Sequence, residues 1–186
     1  MESIKYIFRI GKGPSSSHTM GPQRAAQIFL QRHPHAHRFE VTLYGSLAAT
    51  GKGHMTDVAI KEALQAVAPV EIVWKPTVFL NFHPNGMKFV SFDADDHPAE
   101  EWTVYSVGGG ALSEGKGKED HCFCHKERYK LHTIKDILRW CERNGRGYWE
   151  YVEQCEDKDI WDYLREVWRV MQSAVHRGID HEGALP

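Results

Sequence analysis

Between Arg38 and Ser46, in "RFEVTLYGS", apolar and polar residues alternate at period two, which places Phe39, Val41 and Leu43 on one face of a strand. β-rich composition predicts further strands in Ile4–Ile10, "TVFLNF", "MKFVSFD" and "EWTVYSVGGG". Elsewhere the spacing is helical. "TMGPQRAAQIFLQRH" gathers Ala25, Ala26, Phe29 and Leu30 on one side, with Thr19 or Ser17 as cap, Pro22 in the first turn and Pro34 as the stop. "TDVAIKEALQAV" carries a stripe of Val58, Ala59, Ala63, Leu64 and Val67 behind Thr56 as N-cap. Three more amphipathic helices are predicted after Leu131: "TIKDILRWCERNG", "GYWEYVEQCED" and "DKDIWDYLREVWRVMQSAVHRG". In the last, Ile160, Trp161, Leu164, Val167, Trp168, Met171 and Val175 follow the helical period and read as packing.

The connections sort by turn chemistry. "HPNG" reads as a hairpin turn through Asn85-Gly86, and Asp95 to Pro98 as another turn. "GSLAATGKGHMTD" reads as a glycine-punctuated loop, and "GGGALSEGKGKEDHCFCHKERY" as a flexible connection or an exposed hairpin. The order predicts an α+β class: a mixed α/β core over 1–110, a hairpin or linker over 111–130 and a helical segment over 131–186. "HRGIDHEGALP" stops without a packed element and reads as the start of a connection.

Composition narrows the function classes. The 186 residues suit one domain or one domain with a small appendage, and 41% hydrophobic residues suffice for a core. The net charge of −2, with acids and bases interspersed, argues against a nucleic-acid binder, which needs a concentrated basic face. No apolar run approaches the roughly 20 residues that span a bilayer. "MESIKYIFRIGKG" is too polar for a signal peptide, so a cytoplasmic protein is the default expectation. The four cysteines are expected as thiols. His33, His35 and His37 in "RHPHAHR" read as a solvated turn.

Two loops concentrate candidate chemistry. In "IGKGPSSSHTMGP", Ser15, Ser16, Ser17 and Thr19 supply hydroxyls around His18 at a helix start, where backbone N–H groups and the helix dipole favour an anion. A carboxylate or phosphate fits; so does a plain capping turn, though capping requires one hydroxyl and not four. In the second loop His54, Thr56 and Asp57 stand at a helix mouth. A neutral imidazole there suits removal of a proton next to a carbonyl, and Lys52 suits an anionic substrate; surface exposure and simple capping are the plain alternative. "HCFCH", His121 to His125, offers soft metal ligands, but neither Cys141 nor Cys155 completes an obvious second pair, so an exposed hairpin is preferred and no metal site is assigned. The glycines of "SVGGG" allow a close approach by a ligand or backbone, or serve as a hinge.

Taken together, "IGKGPSSSHTMGPQRAA", "LYGSLAATGKGHMTD" and "WTVYSVGGG" resemble the N-terminal, beta domain of the iron-sulfur-dependent L-serine dehydratases, from about Phe8 to Gly110. "EGALP" looks like that family's junction into a second domain. The resemblance implies an α+β fold similar to a small-molecule-binding domain of some phosphoglycerate dehydrogenases. It implies a lyase that converts L-serine to pyruvate and ammonia, in a cleft shared with an alpha domain that holds a [4Fe-4S] cluster, and a homodimer. His54 matches the family's proposed catalytic base. Ser15, Ser16, Ser17, His18 and Thr19 match the motif expected to hold the substrate carboxylate or line the cleft.

Departures accompany the match. Met55 stands where some members of the family have a small residue, which alters the cleft beside His54. The four cysteines do not match the cluster ligands, which the resemblance places beyond Pro186, so no cluster and no turnover are expected from these residues alone. The chain is then a separately encoded subunit or a truncated piece, and "EGALP" favours the second. The alternative is a regulatory domain that binds serine or a small anion without chemistry. A metal-binding protein built on Cys122, Cys124, His121 and His125 is a third reading.

Overall fold

Strand β1, Arg38–Tyr44, turns the alternating pattern into architecture: Phe39, Val41 and Leu43 are fully buried on one face. The computed structural model describes residues 1–115 and 127–183, so "HCFCH" and the last three residues of "EGALP" lie outside the described residues. Contacts divide the chain into two units, Gly11–Cys124 and Met1–Ile10 with His125–Pro186.

The first unit is a five-stranded sheet with helices. β1 pairs in parallel with β2, Val70–Lys75, and antiparallel with β3, Gly86–Phe92. β3 pairs antiparallel with β4, Pro98–Gly108, and β4 with β5, Ala111–Ser113, giving the order β2-β1-β3-β4-β5. The sheet therefore continues past Gly110. The parallel β1–β2 pair requires a crossover, which is made by α2, Gly45–Thr50, and α3, Thr56–Leu64. Helix α1, Gly21–Arg32, packs beside α3.

The core lies between this helical layer and one sheet face. Val41, Phe89 and Trp102 are aligned across three strands by register. Onto them α1 lowers Phe29, whose ring stands 5.4 Å from Phe89, 6.0 Å from Phe39 and 6.2 Å from Trp102, nearly parallel to the indole. Aromatic pairs at this range add to the gain from burial alone. Arg32, one turn on, lies 4.6 Å over the Trp102 ring, and the indole N–H donates to Glu114.

Several sequence expectations are corrected. Ile4–Ile10 is no strand: Ile4–Tyr6 is one turn of 3-10 helix, and Ile7, Phe8 and Ile10 are exposed, without a neighbouring ladder. "TVFLNF" is also irregular, with Val78 and Phe79 exposed, while the unanticipated strand β2 forms in "VEIVWK" between Pro69 and Pro76. Asn85-Gly86 does not turn a hairpin. Asn85 is buried, its carbonyl accepts from the Ser106 N–H, and its amide donates to the Ser106 carbonyl, so it extends the β3–β4 pairing. The first half of the expected glycine-punctuated loop is helix α2, because Leu47 and Ala48 enter the core. Thr56 is the first residue of α3 rather than its cap. The cap is Met55, and the buried stripe is Ala59, Ile60 and Leu64, with Val58 and Val67 exposed. Ser15, not Ser17 or Thr19, caps the turn before α1.

The second unit contains α4, Ile134–Asn144, α5, Tyr148–Cys155, and α6, Ile160–Asp180. Met1–Ile10 is tied to it: Ser3 and the Ile4 N–H both donate to the Glu156 carboxylate, Lys5 pairs with Asp159 at 2.6 Å, and the Tyr163 hydroxyl donates to the Lys5 and Phe8 carbonyls. The α6 stripe does not pack as expected. Ile160 and Val167 are buried, but Trp168 is 59% exposed, and Met171 and Val175 are exposed too. Among the described residues no helix is long and apolar enough to cross a membrane.

Two glycines define opposite extremes. Gly45, where β1 turns into α2, has a φ of +48°, and a Cβ there would lie 2.6 Å from the Pro84 carbonyl oxygen. Gly178 sits in α6 with nothing within 4 Å. Gly45→Ala is expected to cost about 2 kcal/mol or more, and Gly178→Ala to add about 0.5–1 kcal/mol of helix stability, both read from urea unfolding. Phe29→Ala empties the centre of the aromatic cluster and is expected to cost about 3–5 kcal/mol in the same measurement.

Candidate active site

The serine-rich loop folds as a turn of π-helix, Ser16–Met20, that runs directly into α1. Ser15 starts it: its hydroxyl accepts from the His18 N–H at 3.1 Å, and its carbonyl accepts from the N–H groups of Thr19 and Met20. The first N–H groups of such a run, those of Ser16 and Ser17, have no acceptor within it. They lie at the positive end of the dipole of a long continuous helix. Ser16 is exposed, while Ser17 is half-buried and its hydroxyl contacts His18 Nδ1 at 2.9 Å.

Thr19 differs from its neighbours. It is 1% exposed, accepts from the Ser15 N–H at 3.2 Å, and donates to the His54 carbonyl at 2.8 Å. That bond joins the two loops singled out in the sequence. A second bond runs the other way: Thr56, fully buried, donates to the His18 carbonyl at 2.5 Å. The imidazoles of His18 and His54 consequently stand side by side, with centroids 4.9 Å apart and planes tilted by 39°.

Each ring is anchored from its own side. His54 Nδ1 is 2.9 Å from the Thr50 carbonyl oxygen at the end of α2. A carbonyl only accepts, so Nδ1 carries the proton and the lone pair is on Nε2. His18 Nε2 contacts the hydroxyl of Ser46, in the first turn of α2, at 3.2 Å. Burial, and then the charge His54 would place beside it, hold His18 below the ordinary histidine value, with a smaller opposing contribution from Ser46. His18 is thereby favoured in its neutral form.

The backbone is shaped to this arrangement. Met55 has a φ of +54°, in the left-handed region that non-glycine residues seldom occupy, and such strain often collects at functional sites. Gly21 approaches β4 so closely that a Cβ would lie 2.3 Å from Ser106 Oγ, a fully buried hydroxyl with no hydrogen-bond partner among the described residues. The close approach expected of the glycines in "SVGGG" is not made at Gly108, where a Cβ would meet nothing within 4 Å; the tight contact on this strand is that of Gly21 with Ser106. Gly108, Gly109 and Gly110, all with positive φ, form the tight turn into β5.

Of the five candidates, His18 and Thr19 meet His54 directly, and Ser15, Ser16 and Ser17 belong to the same turn. Lys52 does not join them, since its ammonium lies 5.8 Å from the Trp74 ring centroid. His35 and His37 are exposed, whereas His33 packs on Phe29 and lies 3.3 Å from Glu100. Sequence reasoning missed Ser46, Ser106 and the inward hydroxyl of Thr56. A small hydroxylated residue directly after the β1 pattern was the available signal for Ser46.

Among the described residues the cysteines are Cys141 and Cys155, each on a helix. The one group of three potential ligands there is the exposed turn Asp93, Asp95 and His97, which contains no thiolate.

Residues 3–73 and 61–116 match the serine dehydratase beta chain family. Over the full chain the sequence is 30% identical to an L-serine dehydratase of Haemophilus influenzae, covering 51% of that protein. It is also 30% identical to the L-serine dehydratase of Streptomyces coelicolor, with 99% of this chain and 51% of the relative aligned, and to L-serine dehydratase TdcG of Escherichia coli, with 97% and 50%. The chain spans about half the length of the curated relatives it matches. With a mixed five-stranded sheet and flanking helices behind the match, the chain belongs to the serine dehydratase beta chain family.

Proposed function

We propose that this chain supplies one side of an L-serine dehydratase active site, with His54 as the base. The observation that carries the reading is the meeting of His54 with the Ser16–Met20 turn, which brings a fixed basic nitrogen beside an anion-favouring helix start. The names of the relatives supply the substrate, L-serine.

The chain's own residues divide the work. The N–H groups of Ser16 and Ser17, with the Ser16 hydroxyl, hold the substrate carboxylate at the helix start. His18 stays neutral, so it adds hydrogen bonding without a competing positive charge beside the base. His54 Nε2 takes the Cα proton. The electron pair left at Cα becomes the Cα–Cβ double bond as hydroxide leaves Cβ. The resulting aminoacrylate tautomerises to an imine, which water converts to pyruvate and ammonia. The reading assigns the [4Fe-4S] cluster, and the Lewis acidity it offers the hydroxyl, to a separate domain whose ligands are not in this chain.

The test combines this chain with the cluster-bearing domain under anaerobic conditions and follows pyruvate release. His54→Ala is expected to lower kcat by about 10²–10⁴-fold with the fold intact. Full activity in that variant rejects His54 as the base. Ser16→Ala is expected to raise KM more than it lowers kcat, by roughly tenfold for one lost charge-assisted bond.

Acid adds a stability signature. His18 binds its proton less readily in the folded chain, so the unfolded chain takes up the proton first as pH falls through the ordinary histidine value of about 6.5. Folded stability is therefore expected to fall between pH 7 and pH 5. His18→Gln should flatten that slope in urea unfolding at the two pH values.

A further inference from the structure

The geometry points to Thr19 and Thr56 as positioning residues: by each donating its hydroxyl to the backbone carbonyl next to the other loop's imidazole, they set the separation of His18 and His54 and hold the base in place. The catalytic part of this inference rests on the function proposed above; the positioning part does not.

The two bonds are crossed. Thr19 follows His18 and donates to the carbonyl of His54, at 2.8 Å. Thr56 follows His54 by two residues and donates to the carbonyl of His18, at 2.5 Å. Both side chains are essentially without solvent contact. A buried hydroxyl that loses its partner pays a full desolvation cost, so each of these bonds resists separation of the loops. Because the accepting carbonyls belong to the histidines themselves, sliding one loop along the other breaks both bonds at once. Neither loop is otherwise fixed to the other through backbone ladder pairing, since one is a π-turn leading into α1 and the other a turn between α2 and α3.

This placement also separates Thr19 from the three serines. Its hydroxyl has one proton, given to the His54 carbonyl, and a lone pair taken by the Ser15 N–H. It is committed within the protein rather than presented to a ligand. Thr56 carries no functional assignment from its sequence beyond helix capping, and in the structure it does not cap. A Cβ at Gly51 would lie 2.1 Å from the Leu47 carbonyl oxygen, 2.8 Å from the Trp74 ring and 3.2 Å from Thr56 Oγ1, so the glycine keeps this corner open beside the threonine hydroxyl.

The experiment uses the full chain with histidine-selective labelling. Nuclear Overhauser contacts between the His18 and His54 rings report their separation directly. Thr19→Val and Thr56→Val keep the shape and delete the donor; Thr19→Ser and Thr56→Ser keep the donor. The valine variants are expected to lose the ring–ring contact, and in the assembled enzyme to lower kcat by about 10–100-fold with KM within about twofold. The serine variants are expected to restore both. If a valine variant does not fold, Thr56→Ala replaces it in the same comparison with Thr56→Ser.

A ring–ring contact that survives in the valine variants overturns the inference. A failure of serine to restore the contact overturns it too, and a lost contact with unchanged kcat overturns the catalytic part. Full turnover by His54→Ala instead rejects the functional reading and with it the catalytic part, and the ring contacts then decide the positioning part alone.

Discussion

The seating of Phe29 against Phe39, Phe89 and Trp102 is the constraint on which the first unit depends. A helix that buries Ala25, Ala26 and Phe29 on a sheet has little freedom to rotate or slide, because close-packed interiors transmit displacement instead of absorbing it. The start of that helix is thereby fixed over the carboxyl end of β1. The Ser16–Met20 turn is the same helix continued backwards, so its position follows from packing some three turns away. Gly21 completes the fit by letting the helix approach Ser106 without a Cβ between them.

On this frame the second loop is held by fewer, more directional contacts. β1 ends at Tyr44, Gly45 turns with positive φ, and Leu47 and Ala48 draw α2 into the core. The chain then closes through a left-handed Met55 into α3, whose Ile60 and Leu64 are buried beneath α1. The interval between two packed helices is short, so His54 has few places to go. What decides among them is hydrogen bonding: the Thr50 carbonyl orients the ring, and the two threonines join the loop to the serine turn. Apolar burial thus delivers the loops to the same end of the sheet, and polar pairing sets the final separation of the imidazoles.

A polar cluster placed there combines donors without adding charge. Hydroxyls and helix N–H groups attract an anion, while burial disfavours a proton on His18. A permanently charged lysine in the same place would hold a carboxylate more strongly but would also lower the basicity of a neighbouring imidazole. Lys52, though close in sequence, stands over Trp74 instead. Under the proposed function, the ligand's charge is met by dipoles rather than by a side-chain cation.

The sequence by itself determined the class of the fold, three of the five strands and each of the longer helices, because hydrophobic period is a local property that survives in any tertiary setting. It also marked the two loops, since serine, histidine and glycine cluster in them and the combination resembles a known family. It misread Ile4–Ile10 and "TVFLNF" as strands, because β propensity was present in both but no neighbouring ladder was available to receive them. It overlooked β2, a short edge element with mixed exposure, for the opposite reason: pairing with β1, not its own pattern, makes it a strand. Only the tertiary structure decided that Thr19 and Thr56 face inward, that Ser46 meets His18, and that Trp168 lies open. Each depends on atoms brought together from far along the chain, or on a face that no described residue covers, and neither is encoded in the spacing of residues nearby.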